Sequence, residues 1–186
     1  MIEQNYTGYL LGAHPRRRDP LLNKGVMLVL EHDETGAIGL QINKPFVNDL
    51  SFETVMNNVG LHAPDDQPLY NGGPTHSNRI HVIHSLDWYS NHTVKLTEQI
   101  GVSHDLSILA AIAANEGPSQ FRVVAGYTVW QPGYLDGEVS GEEPWDVTAS
   151  WSFVKAEPET VFQIDGVDQW HRIIMDSSKL QIANWF

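Results

Sequence analysis

A glycine-rich turn is the part of this sequence whose residue types could bind an anion. Asn71-Gly72-Gly73-Pro74 contains two adjacent glycines, which let a backbone approach a ligand closely and present its amide N–H groups to it. Arg79 follows shortly afterwards, and a guanidinium can clamp a carboxylate or a phosphate with two parallel hydrogen bonds. A tight turn at the end of a strand explains the same residues without a ligand, and we prefer that interpretation.

The histidines could in principle hold a metal ion, since the chain has 9 of them. His81 and His84 are three residues apart, a spacing that brings ligands together on a helix but points them to opposite faces of a strand. Residues 79–85 are predicted to form a strand, and a zinc site would need further ligands from elsewhere in the fold. We therefore predict surface or hydrogen-bonded histidines, with no metal and no other cofactor.

Residue types used by hydrolytic enzymes occur in this chain, but in unsuitable arrangements. Residues 31–34 read Glu-His-Asp-Glu in a predicted hairpin turn, where a solvated turn is the simpler interpretation. Residues 103–105 read Ser-His-Asp, yet neighbours in sequence at the start of a helix cannot form the serine–histidine–acid geometry with one another. The sequence contains neither a G-x-S-x-G elbow nor a P-loop. These patterns favour a protein that is not an enzyme.

Aromatic residues between Gly126 and Gly133 could form the wall of a pocket. Tyr127 and Trp130 combine apolar area with a polar edge, and they suit an ordinary core equally well. If the chain binds a small ligand, we expect the pocket to be formed by the following residues: Asn43, Lys44, Gly72, Gly73, Arg79 and Trp130.

The composition excludes several classes of function. The 186 residues include 23 acidic and 11 basic side chains, a net charge of −12, so the lysine and arginine needed to neutralise phosphates are scarce and direct nucleic-acid binding is not expected. The chain has no cysteine, which excludes disulfides, thiolate nucleophiles and cysteine-ligated metals. Residues 1–186 suit one domain. The first residues lack the pattern of a signal peptide or membrane span, so we predict a cytoplasmic protein.

Two apolar runs predict a hairpin at the centre of the sheet. Residues 26–30 are apolar throughout, which indicates burial on both faces, whereas residues 37–42 alternate between apolar and other side chains. The polar turn between them closes at Gly36, where a positive φ is tolerated. Further strands are predicted at residues 9–13, 79–85, 92–97, 121–130 and 161–164.

Three helices are predicted from capping residues and apolar spacing. Ser51, Ser103 and Asp165 are suitable N-caps, because a side-chain oxygen there can accept from a free N–H of the first turn. The predicted helices lie between Ser51 and Gly60, between Ser103 and Gly117, and over residues 167–175, and residues 136–146 are predicted to form an acidic loop. Strands that alternate irregularly with few helices indicate an α+β fold rather than a doubly wound parallel sheet.

Three blocks of this sequence resemble the YqgE/AlgH family. They are residues 31–45, which end in Asn-Lys-Pro, residues 71–85 with the Asn-Gly-Gly-Pro turn, and residues 103–133 with Gly-Tyr-Thr-Val-Trp-Gln-Pro-Gly. The resemblance implies a compact bacterial cytosolic protein, with a mixed, largely antiparallel sheet folded into a barrel-like form and two to four flanking helices. It implies no enzyme reaction and no defined ligand, although some members are labelled transcriptional regulators. Tyr134 departs from the family, which tends to have glutamine there, and after Trp145 the match is weak.

The function that these observations favour is binding without catalysis. We predict a non-enzymatic protein that binds another protein or a small ligand, and a regulatory role is one form of such binding. The alternative is a hydrolase or transferase that acts on a phosphorylated or acidic small molecule. In that hypothesis the glycine-rich turn and Lys44 bind the anion together with Arg79, and His84 or Glu31 acts as general acid or base. The partner, the ligand and the oligomeric state stay open.

Overall fold

The computed structural model describes residues 4–47, 50–64, 67–141 and 150–183. The strands are β1 (Tyr9–Ala13), β2 (Val26–Asp33), β3 (Gly36–Gln41), β4 (Leu69–Asn71), β5 (Thr75–Ser85), β6 (Val94–Lys95), β7 (Ile100–Ser103), β8 (Phe121–Trp130) and β9 (Trp151–Lys155). The α-helices are α1 (Phe52–Asn58), α2 (Leu106–Ala113), α3 (Tyr134–Ser140) and α4 (Gly166–Ala183), and a single π-helical turn lies at Glu159–Gln163. None of the described helices has both the length and the apolar composition needed to cross a bilayer.

The nine strands of the described residues belong to one curled sheet. Their order is β6-β7-β5-β8-β3-β2-β1-β9, with β4 beside β8 as the one parallel pair among the described strands. The sheet curls until its two ends approach, since a Cβ on Gly8, just before β1, would lie 2.8 Å from the carbonyl oxygen of Leu96, just after β6. The structure confirms the predicted α+β class with a largely antiparallel, half-barrel sheet.

The predicted central hairpin is present as β2 and β3. Residues 26–29 are fully buried, as expected for an apolar run covered on both faces, and Leu28 pairs with Leu40. The turn is shorter than predicted, because the strands extend to Asp33 and from Gly36. The carboxylate of Asp33 accepts from the backbone N–H of Thr35 at 2.7 Å, which closes the turn.

Helices cover both faces of the curled sheet. On the inner face, α4 packs against β1, where a Cβ on Gly12 would lie 2.9 Å from Ile173 Cγ2, so a glycine is needed for this close approach. The indole of Trp170 on α4 also donates to the Ala13 carbonyl at 2.7 Å. On the outer face, α1 and α2 pack over β5 and β8, and α3 packs over β3 and β9. The inner face carries the main core and, at one end, the cavity described below.

Several predictions for the second half of the chain are wrong. Ser103 does not cap a helix but ends β7, and the carboxylate of Asp105 accepts from the Ser107 N–H at 2.7 Å, so α2 begins at Leu106. The predicted strand at 161–164 is largely the π-helical turn. The unpredicted α3 covers the first residues of the stretch expected to be a loop, of which residues 142–146 lie outside the described residues, and β9 was not predicted.

Candidate functional site

A cavity of about 140 Å³ opens at one end of the inner face of the sheet. Its apolar lining continues into the main core and its polar lining comes from four different segments of the chain. The apolar lining residues are Leu30, Ile38, Val94, Leu96 and Val102, and the polar ones are Glu31, Arg79, His81, His104 and Tyr127.

Three interruptions of strand regularity surround this cavity. The pairing of β2 with β3 slips between Val29 and Glu31. The pairing of β5 with β8 slips between Thr75 and Ile80, whose partners on β8 are only two residues apart. Within β8, Gly126 has a φ of +78°, a left-handed conformation suited to glycine. Bulges redirect side chains and are enriched beside functional sites. Here the two register slips and Gly126 all lie next to residues that line the same cavity.

The bulge of β5 also contains left-handed backbone at a residue that is not glycine. His76 has a φ of +44°, and its ring stacks on Tyr127 with centroids 5.7 Å apart. Such a conformation costs of order 1–3 kcal/mol and persists only where the surrounding structure imposes it. The bulge ends at Arg79, so the strained backbone at His76 belongs to the segment that places this arginine beside the cavity.

Arg79 and Glu31 are exposed charges at the rim of the cavity, and each is unpaired. Among the described residues, neither side chain takes part in a hydrogen bond or an ion pair, with each other or with any third group. A guanidinium without a protein partner keeps all five of its N–H donors available to a ligand.

His81 is the buried polar group of the cavity. The residue is only 6% exposed, and its Nδ1 has no hydrogen-bond partner among the described residues. Its ring contacts those of Tyr127 and His104, with centroids 5.8 Å and 6.3 Å away. Burial lowers the pKa of His81 to about 4, and electrostatic repulsion from the nearby Arg79 and His104 side chains acts in the same direction. At neutral pH the ring is therefore uncharged, able to donate at one nitrogen and accept at the other.

Asn43 and Lys44, two of the predicted site residues, lie in a different groove. The amide of Asn43 accepts from the Val26 N–H at 2.8 Å and donates to the carbonyls of Lys24 and Gly166, so all of these contacts are structural. Lys44 donates to the Leu21 carbonyl at 2.7 Å. Burial lowers the pKa of Lys44. Both side chains hold the loop before β2 in place.

Gly72 and Gly73 pack against β8 and use their amides within the protein. The Gly72 N–H donates to the Ala125 carbonyl at 2.9 Å, and the Gly73 N–H donates to the Asn71 side chain at 3.2 Å. A Cβ on Gly72 would lie 2.3 Å from the carbonyl oxygen of Gly126, so the glycine serves close backbone packing. Neither amide is available to form the anion nest considered from the sequence.

Trp130 is buried on the outer face of the sheet, away from the cavity. Its ring lies over Gly39, where a Cβ would be 2.9 Å from the indole. Its Nε1–H donates to the carboxylate of Glu138 at 3.0 Å, and Trp151 donates to the same oxygen at 2.6 Å. Of the six predicted site residues, the structure thus places Arg79 on the cavity and the other five elsewhere.

His84 forms a serine–histidine pair that is closed to solvent. Its Nδ1 donates to the Ser85 carbonyl at 2.9 Å, which leaves Nε2 to accept from the Ser103 hydroxyl at 3.0 Å, and Thr93 donates in turn to Ser103 at 2.9 Å. Both His84 and Ser103 are 0% exposed. Burial lowers the pKa of His84. The arrangement ties β5 to β7 and gives no substrate access to either side chain.

Sequence reasoning identified part of the cavity and missed the rest. Arg79 and Glu31 were considered for chemistry, His81 was considered only as a metal ligand, and His104 was considered within the Ser-His-Asp run at residues 103–105. The available signal was Gly126, since a glycine inside a strand pattern suggests a bulge or a close approach. Within the described ranges, no three His, Asp or Glu residues come together as a metal-binding cluster.

Comparison with known sequences connects the chain to a bacterial family. A family model described as AlgH-like (DUF179) matches residues 10–180. A UPF0301 protein from Sphingopyxis alaskensis is 39% identical over 145 residues, which cover 77% of this chain and 76% of that relative. A UPF0301 protein from Vibrio parahaemolyticus is 30% identical over 178 residues, which cover 91% of this chain and 90% of that relative.

Solved structures show the same architecture. The solution structure of AlgH from Pseudomonas aeruginosa matches with a TM-score of 0.73 and 28% identity, over 97% of this chain and 91% of that one. The crystal structure of DIP2367 from Corynebacterium diphtheriae matches with a TM-score of 0.71 at 21% identity, over 93% of this chain and 87% of that one, which is a likeness of fold. The family resemblance carried by the three sequence blocks is confirmed, and the chain belongs to the AlgH-like family.

Proposed function

We propose that this is a non-enzymatic cytosolic protein that binds a small ligand in the cavity at Arg79. The observation that carries the proposal is the meeting of an unpaired guanidinium and a partnerless buried imidazole, His81, on one cavity. The three strand interruptions around the cavity support it, because strained and irregular backbone concentrates where a protein places functional groups.

The energetics of His81 favour a bound partner. A buried polar atom without a hydrogen bond costs about 1–3 kcal/mol, so a ligand that reaches the imidazole and supplies the missing bond recovers part of that cost. Arg79 adds a charge-assisted hydrogen bond at the rim, which is the stronger kind. The pairing of one charged and one neutral donor suits a ligand with an anionic group and an adjacent polar atom.

The placement of the other groups supports binding over the hydrolase or transferase hypothesis. That hypothesis needs Lys44 and the Gly72-Gly73 amides beside Arg79, and all three are engaged elsewhere in the protein. It also needs an accessible general base, and His84 is enclosed by Ser103. Glu31 alone remains on the cavity in that role, without a positioned nucleophile.

The test is a fragment screen by backbone-amide NMR on the whole protein. Small carboxylic acids, phosphates, amines and amino acids are added to the ¹⁵N-labelled chain, and at least one of them is expected to shift the amide signals of His81 and Tyr127 in a saturable manner. In Arg79→Gln these shifts should vanish. The control Arg18→Gln removes another exposed and unpaired arginine, in a loop that does not line the cavity, and it should bind as the wild type does. If no fragment shifts the cavity amides, or if Arg79→Gln binds normally, the proposal is wrong.

A further inference from the structure

The cavity holds two opposite charges that do not neutralise each other. Arg79 reaches it from β5 and Glu31 from β2, and the two side chains form no ion pair although they line the same small space. The bulge in each strand sets these positions, because each lies at the point where the strand register slips. The separation of the two charges is therefore built into the backbone.

A ligand with a single charge fits this site poorly. An anion on Arg79 displaces water from Glu31 and meets its negative charge, and a cation on Glu31 meets Arg79 in the same way. Removing water from a charge without pairing it is costly, and placing like charges together adds to that cost. A ligand that carries both an anionic and a cationic group pairs with both side chains and leaves neither uncompensated.

The aliphatic lining and the small volume of the cavity restrict the rest of the ligand. Leu30, Ile38, Leu96 and Val102 present aliphatic surface next to the charges. The volume of about 140 Å³ is below the range of roughly 300–1,000 Å³ found for sites of drug-sized ligands, so the occupant has only a few carbon atoms. The uncharged ring of His81 adds a hydrogen-bonding group without changing the charge balance.

We propose, resting on the proposed function, that the ligand is a small aliphatic zwitterion of the α-amino-acid class. Its carboxylate pairs with Arg79, its ammonium group pairs with Glu31, and a short branched side chain such as that of valine lies against the aliphatic lining. This assigns Glu31 as the residue that selects for the ammonium group.

Three molecules of matched shape test the assignment on the whole protein: L-valine, isovalerate, which lacks the ammonium group, and isobutylamine, which lacks the carboxylate. Binding is followed by the cavity amides in NMR titrations. Valine is expected to bind at least about tenfold more tightly than either analogue, because each analogue lacks one of the two charged groups and so forms one charge-assisted pair fewer.

The variants separate the roles of the two charges. Glu31→Gln should weaken the binding of valine at least about tenfold without weakening the binding of isovalerate. Arg79→Gln should weaken the binding of both. Glu34→Gln is the matched control, because Glu34 is also an exposed acid, lies in the adjacent turn and does not line the cavity. A change of the fold would instead alter amide signals throughout the sheet.

The remaining outcomes overturn the inference in distinguishable ways. If isovalerate binds as tightly as valine, or if Glu31→Gln binds valine normally, the site selects an anion, so the zwitterion inference falls and the proposed function stands. If only isobutylamine binds, both the inference and the role of Arg79 fall. If none of the three binds while another fragment does, the ligand class is wrong; if nothing binds, the proposed function is wrong as well.

Discussion

Acidification is expected to destabilise the protein through His81. This ring is held neutral in the folded state, with a pKa of about 4, whereas in the unfolded chain it titrates near 6.5. Between these values the unfolded chain binds more protons than the folded protein, so the free energy of unfolding rises with pH. The contribution is fully present above about pH 6.5 and is lost as the pH falls toward 4.

The size of the effect follows from the two pKa values. At about pH 5 the ring is almost fully protonated in the unfolded chain and almost entirely neutral in the folded protein. The linkage relation then gives a loss of about 2 kcal/mol of unfolding free energy between about pH 7.5 and pH 5. The charged and titratable groups that share the cavity with His81 are Glu31, Arg79, His104 and Tyr127.

The assay compares urea unfolding of the wild type with His81→Gln and His81→Phe at the two pH values. Neither replacement titrates, so each variant should lose about 2 kcal/mol less than the wild type on acidification, whatever its own stability at neutral pH. Contributions from other groups are common to the three proteins and cancel in the difference. A second measurement follows the ring signals of His81 directly by NMR between about pH 3 and pH 8.

Two results would refute the reasoning. One is an equal loss of stability on acidification in the wild type and in both variants. The other is a ring titration of His81 near 6.5 in the folded protein, which would mean that the imidazole is hydrated rather than buried against the cavity wall.

Three further predictions concern residues that support the sheet, and urea unfolding measures each of them. Gly72→Ala should destabilise the protein by at least about 2 kcal/mol, because the added Cβ would meet backbone atoms. The control Gly60→Ala, at a left-handed glycine in open space, should destabilise it by about 1 kcal/mol, and equal losses in the two variants would contradict the packing argument. Glu138→Ala should cost about 2 kcal/mol and alter tryptophan fluorescence, because two buried indoles lose their acceptor, and an unchanged spectrum would argue against that contact. Ser103→Ala should cost about 2 kcal/mol by leaving the Nε2 of His84 without a donor, and a cost below about 0.5 kcal/mol would show that the pair is dispensable.

The sequence predicted the elements whose signals are local. The apolar run at 26–30, the Ser51 cap and the strand at 121–130 each carry their information within a few residues, and the structure confirms all three. Ser103 shows why others failed. A serine before an apolar stripe fits a helix cap, yet its hydroxyl is committed to His84 across the β5–β7 pair, and the acid two residues later caps the helix instead. Local propensity cannot register such a distant partner.

The cavity was predictable only in part, for a related reason. Arg79 stood out by residue type, but the polar residues of the cavity come from four segments, which meet only because the sheet is curled and its register slips. Gly72, Gly73 and Trp130 have the same types as ligand-binding residues, and it is the backbone and side-chain contacts on β8 and α3 that use them for packing. The amount of free space beside a residue is a property of the fold.

The position of β1 in the sheet has a consequence for how the chain is made. This strand lies between β2, which follows it closely in sequence, and β9, which is synthesised much later. Until residues 151–155 leave the ribosome, β1 is an open edge, and its inner face lacks the cover that α4 provides. We therefore expect the nascent chain to need protection by chaperones until β9 and α4 have emerged, and folding to be slow because the pairing of β1 with β9 joins distant parts of the chain.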